Sequence, residues 1–93
     1  MYARDAVIIN ATGLHARPAA EFVRAAGKYQ SKIQIFRKDR PLQVVNAKSM
    51  VLVLSLSAAK GTHVTVSAAG PDEQEAVDAL ISLLEDGFGE GDL

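Results

Sequence analysis

The sequence has no cysteine and no tryptophan, and its aromatic content is only 5%. Without cysteine there is neither a disulfide framework nor a thiolate metal site, and nothing in the chain calls for an oxidising compartment. So few aromatics leave no stacking platform for single-stranded nucleic acid. Charge of one sign is also missing: 10 basic against 11 acidic residues give a formal net charge of −1, which supplies no sustained field for a nucleic-acid backbone. No apolar run approaches bilayer-spanning length, so membrane insertion is not expected. The opening residues Met1-Tyr2-Ala3-Arg4-Asp5 lack the basic region, apolar core and cleavage site of a signal peptide, and a cytoplasmic location is the expectation. Metal-binding capacity is equally thin. His15 and His63 are the only histidines, neither belongs to a cluster with ligand spacing, and neither metal nor cofactor is expected.

What is present is a chain of 93 residues, 48% hydrophobic, enough for one compact core and too little for two. A single domain over residues 1–87 followed by a small, acidic, flexible tail over 88–93 is the expected organisation. Tyr2 to Ile9 is β-prone, and the stretch from Asn10 to Gly13 carries turn and capping chemistry. Ala19, Ala20, Phe22, Val23 and Ala26 recur at helical spacing, with Gly27 as the stop signal. Ser31 to Arg37 and Leu42 to Asn46 read as a hairpin around the charged turn Lys38-Asp39-Arg40-Pro41. Ala47 to Leu56 is ambiguous between strand and helix, and pattern alone favours strand. Thr62 to Ala68 alternates with Val64 and Val66 inward, which makes His63 a solvated edge residue. Pro71 suits the first turn of a last helix whose apolar stripe is Ala76, Val77, Leu80, Ile81 and Leu84. Strands interspersed with helices predict an α+β layered domain.

His15 follows Thr12-Gly13-Leu14 and directly precedes the first helix, so its imidazole stands among N–H groups that have no intrahelical acceptor. Such a place suits an anion. Arg17 adds a positive charge in the first turn, and Pro18 is tolerated there because its missing N–H would have had no helical partner. A histidine so placed can act as a nucleophile toward phosphorus, since donors are already in position for the arriving charge. A histidine near a helix start also reads simply as a capping or surface residue, and position alone leaves both readings open.

The segment Gly13-Leu14-His15-Ala16-Arg17-Pro18-Ala19 resembles the active-site signature of the HPr family, the histidine-containing phosphocarriers of the phosphoenolpyruvate-dependent phosphotransferase system. The resemblance continues through Lys28-Tyr29, Val45 to Ser49, Ala59-Lys60-Gly61 and Gly70 to Val77, and so covers nearly the whole chain. It implies an open-faced β-sandwich of order βαββαβα, a four-stranded antiparallel sheet with three helices on one face. It also implies a short helix after Ser49, against the strand that pattern alone favours. His15 corresponds to the phosphorylated residue, through Nδ1, and Arg17 to the arginine that contacts the phosphoryl group; Thr12, Gly13, Ala16 and Pro18 form the surrounding loop. Ser49 corresponds to a serine that a dedicated kinase phosphorylates in many bacteria, and equally reads as a plain helix cap. Ala20, Met50, Val51 and Leu54, rimmed by Arg24 and Lys48, fall where the family docks its partners, although core packing competes for the apolar positions.

The implied partners are Enzyme I as donor and Enzyme IIA domains as acceptors in sugar uptake, with an HPr kinase/phosphorylase and a transcription regulator on the signalling side, and a monomeric state. Two rival readings stand beside the carrier: a mainly regulatory module, including a nitrogen-related branch, and a structural domain with an HPr-like fold. Two departures from the family pattern are visible: a hairpin from Phe36 to Val44 that is longer than in familiar members, and Leu52 and Ser57 where many members carry small or polar residues and glycine. Both bear on partner choice more than on His15.

Overall fold

A computed structural model describes residues 1–90 of the chain. The elements are β1 (Tyr2–Val7), α1 (Ala16–Ala26), β2 (Lys32–Arg37), β3 (Val45–Asn46), α2 (Met50–Ser55), β4 (His63–Ala69) and α3 (Glu73–Glu85), followed by a 3₁₀ turn at Gly87–Gly89. The four strands form one sheet in the order β1-β4-β2-β3, every pair antiparallel. The three helices lie on one face of it, so the fold is the open-faced βαββαβα sandwich. No helix among the described residues is long and apolar enough to cross a membrane.

Period-two alternation decides which side of each strand is dry. Ile33 and Ile35 of β2 and Val64, Val66 and Ala68 of β4 are buried, while their neighbours Gln34, Thr65 and Ser67 are half-buried. The helices answer with their own stripes. Pro18, Ala19, Phe22 and Ala26 of α1 and Ala76, Val77, Leu80, Ile81 and Leu84 of α3 face the sheet, as their spacing demands. The stretch after Ser49 is helical; of its four successive residues Val51 to Leu54 only Val53 is fully buried, whereas Val51 is 76% exposed. A strand would have buried alternate residues. The Ser49 hydroxyl accepts the Leu52 N–H at 3.3 Å and starts the helix instead.

Several expectations need correction. The second arm of the hairpin shrinks to two residues, because successive turns (Arg40 N–H to Arg37 C=O at 2.9 Å, Gln43 N–H to Arg40 C=O at 3.0 Å) consume the chain up to Gln43. Leu42 is therefore 99% exposed, and Val45 is the first residue of this arm to reach the core. His63 is exposed but does not lie on an edge: β4 pairs with β1 on one side and β2 on the other. Pro71 lies outside the last helix, which opens at Glu73 with Asp72 as its cap residue. The tail expected from residue 88 is, for 88–90, docked structure: Phe88 carries a large apolar ring and is only 5% exposed. Residues 91–93 lie outside the described residues.

Asp72 is not spent on its own helix. Its carboxylate accepts the Gln30 and Ser31 N–H groups, both at 2.9 Å, and the Ser31 hydroxyl at 2.5 Å, tying the α1–β2 loop to the start of α3. The Ser31 hydroxyl and then the Gln30 N–H hold its pKa below the ordinary carboxylate value. A folded-state pKa below the unfolded one contributes stability that is present above the unfolded value and is lost as pH falls through the folded value. Asp72→Asn should therefore lose less stability than the parent between roughly pH 7 and roughly pH 3, read as urea midpoints at the two pH values. Equal acid losses would remove this ionisation from the account.

Candidate functional site

The loop between β1 and α1 is organised by Asn10, which is buried. Its Nδ2 donates to the Gly13 carbonyl at 2.9 Å and to Thr12 Oγ1 at 3.2 Å, and the Gly13 N–H returns to the Asn10 carbonyl at 3.1 Å. Leu14 is buried, and its N–H bonds the Ala58 carbonyl at 2.8 Å, pressing the loop against the segment that follows α2. Gly13 has φ +69°, and a Cβ there would stand 2.5 Å from the Ala58 oxygen and 2.8 Å from the Ala59 Cα. Only glycine fits this crossing of two backbones.

Held from behind in this way, His15 is the N-cap residue of α1, in extended conformation and with its side chain exposed. The next residue, Ala16, has φ +45°, in the left-handed region that a side chain disfavours by roughly 1–2 kcal/mol. Local strain of this kind persists where surrounding contacts over-determine the backbone, as the Asn10 and Ala58 bonds do here. The first N–H of the helix with an acceptor is that of Ala19, to the His15 carbonyl at 3.4 Å. Pro18 has none to offer, and among the described residues the Ala16 and Arg17 N–H groups have no partner. A shallow pocket of about 270 Å³ opens beside the imidazole, lined by Thr12, Leu14, Leu54, Ser57, Ala58 and Ala59. Ser57 itself has φ +50°, which is the physical reason glycine would be at home there.

The Arg17 side chain is outside the lining of this pocket and is engaged twice by carboxylates. Nη1 pairs with Glu21, one turn along α1, and Nη2 stands 3.6 Å from Glu90 Oε2. The same Glu90 oxygen accepts the Thr12 hydroxyl at 3.0 Å. The arrangement thus presents an exposed imidazole, two unpartnered N–H groups, a hydroxyl and a guanidinium at one helix end. That combination can receive and hold a tetrahedral anion.

Of the loop residues flanking His15, Gly13 and Pro18 are buried as framework, Thr12 and Ala16 are exposed, and Thr12 lines the His15 pocket. The partner patch divides. Val51 is open to solvent, Leu54 shares the pocket with His15, and Ala20 and Met50 are half-buried, Met50 against the core. Arg24 is exposed, but Lys48 is tied down, its Nζ donating to the Tyr29 carbonyl at 2.7 Å, so it acts first as a structural clamp. Sequence reading missed Asn10, Glu21 and Glu90. Glu21 was legible as an i,i+4 partner of Arg17, and Asn10 as a turn residue; nothing local connects Glu90 with Thr12, 78 residues away. No group of three His, Cys, Asp or Glu side chains that could hold a metal occurs among the described residues.

Residues 2–86 match the family described as PTS HPr component phosphorylation site. The chain is 46% identical to the phosphocarrier protein HPr of Cupriavidus necator over 92 residues, covering 99% of this chain and 100% of that one. It is also 39% identical over 84 residues to a multiphosphoryl transfer protein of Haemophilus influenzae, matching 90% of this chain and 17% of that longer one. The crystal structure of HPr-C-His from Thermoanaerobacter tengcongensis superposes with a TM-score of 0.91 at 45% identity, covering 98% of this chain and 99% of the other.

Proposed function

The chain belongs to the HPr family, phosphocarriers whose phosphoryl group travels on a histidine, and we propose that in this chain His15 carries it. The observation that carries the reading is the exposed His15 imidazole at the start of α1, with the Ala16 and Arg17 N–H groups unpartnered among the described residues and Arg17 in the same first turn. Family members stand between Enzyme I and Enzyme IIA domains. In the proposed step Nδ1 of His15 attacks the phosphorus of phosphorylated Enzyme I. A new P–N bond forms as the donor's P–N bond breaks, and the ring proton goes to solvent or to the departing imidazole. The backbone donors and Arg17 meet the phosphoryl oxygens, and the reverse geometry delivers the group to the Enzyme IIA histidine, for sugar uptake in the cytoplasm. A shallow, open site suits a group that must be given away. Val51 and Leu54 supply the apolar part of a transient docking face around it. Incubation with phosphoenolpyruvate and Enzyme I should yield one acid-labile phosphoryl adduct by intact mass; no adduct, with an Enzyme I active on another carrier, removes the reading.

A second role is regulation through Ser49 by an HPr kinase/phosphorylase, with a transcription regulator as reader. The Ser49 hydroxyl accepts the Leu52 N–H, a bond that phosphorylation would exchange for one accepted by a charged phosphate oxygen. With such a kinase, acid-stable label should enter the parent and not Ser49→Ala; no label in the parent, with a kinase active on another HPr, ends this role.

A further inference from the structure

The Glu90 carboxylate engages two groups that a phosphoryl group on His15 would seek, the Thr12 hydroxyl and the Arg17 guanidinium. It is held there by built structure. Gly87, Phe88 and Gly89 all have positive φ (+62°, +57° and +71°), which folds the chain back from the end of α3 toward the β1–α1 loop. Gly87 is buried beside Ile9 and Asn10, the Phe88 ring joins the core, and the Glu90 N–H closes the turn on the Gly87 carbonyl at 3.1 Å. The Glu90 side chain is 19% exposed, against 58% for the Arg17 side chain it faces. One oxygen, Oε2, takes both the Thr12 hydroxyl and the approach of Arg17 Nη2, while Glu21 occupies the other terminal guanidinium nitrogen, Nη1.

A phosphoryl group brings about −1.5 to −2 charges and three acceptor oxygens, the same chemistry as the carboxylate in greater strength. Two such anions on one guanidinium and one hydroxyl repel each other. We propose that Glu90 is a built-in competitor of the phosphoryl group: it holds Thr12 and Arg17 while His15 is free and must withdraw when His15 is charged. The proposal rests on His15 as the carrier residue. Its consequence is a phosphoryl group bound less tightly than Arg17 and Thr12 alone would bind it, and so more readily passed on.

The test is the equilibrium constant for phosphoryl exchange between Enzyme I and the carrier, compared for the parent and Glu90→Gln. The amide keeps the shape and can still accept from Thr12, but it has no charge. The constant should move about two- to fivefold toward the phosphorylated carrier, the range an exposed ion pair commands, and the difference should shrink in high salt. An unchanged constant, or a move toward the free carrier, overturns the competitor role while adduct formation leaves His15 standing. No adduct in either protein overturns the reading of His15 and the competitor role with it.

Discussion

His15→Ala abolishes acceptance of the phosphoryl group and leaves the fold where it was. The imidazole is exposed and makes no capping hydrogen bond to the helix it precedes, so its removal opens no cavity and orphans no buried partner. A change in stability within about 0.5 kcal/mol is expected, as for other surface sites free of such features. Activity behaves differently, because the attacking nitrogen has no substitute in the site: the other histidine, His63, is not among the residues that line the His15 pocket. Intact mass after incubation with phosphoenolpyruvate and Enzyme I should show the adduct in the parent only. An equally acid-labile adduct on His15→Ala would move the chemistry to another residue.

Gly13→Ala should be the most damaging single methyl that can be added near the site. Two costs coincide. The left-handed φ of +69° disfavours any side chain by roughly 1–2 kcal/mol. The new Cβ would also stand 2.5 Å from a backbone oxygen and 2.8 Å from a backbone carbon, neither of which can swing aside as a side chain does. Relief requires the loop to part from Ala58, which stretches the Leu14 N–H bond that fixes the approach to His15. A loss of about 2–4 kcal/mol is expected in urea unfolding, with slower phosphoryl acceptance in whatever remains folded. Gly61→Ala provides the comparison. Its φ is also positive, +92°, but its Cβ would meet nothing within 4 Å, so it carries the conformational cost alone. If Gly13→Ala costs no more than Gly61→Ala, the two backbones are not in contact in solution as described.

What could be read from the sequence followed the range of the forces involved. Helices α1 and α3 are local patterns, and Ala19, Phe22 and Ala26 or Val77, Leu80 and Leu84 announce their buried faces by spacing. The run from Val51 to Leu54 carries no such signal, because residues that are all apolar do not say which of them is buried; the family resemblance alone supplied the answer, and the Ser49 cap is seen only in the structure. Leu42 and Val44 looked like strand, but Leu42 lies in a turn and Val44 in the irregular link to β3, since only the pairing of Ile35 with Val45 decides where β3 begins. At the site, His15, Ala16, Arg17 and Pro18 are contiguous and were legible together. Glu90 was hidden in a stretch whose small, acidic composition reads as tail, and only the burial of Phe88 in the folded core brings it to Thr12.

The position of β4 in the sheet also bears on how the molecule is made. Tyr2 of β1 pairs with Ala68, and Lys32 of β2 with Ala69, so neither strand finds its main partner until the chain has been synthesised almost to the start of α3. The sheet is therefore built from distant pairings, which are slow to form because loop closure precedes any reward. A nascent chain that stops before β4 leaves β1 and β2 as unpaired edges, open to the neighbouring chain instead of to their own last strand.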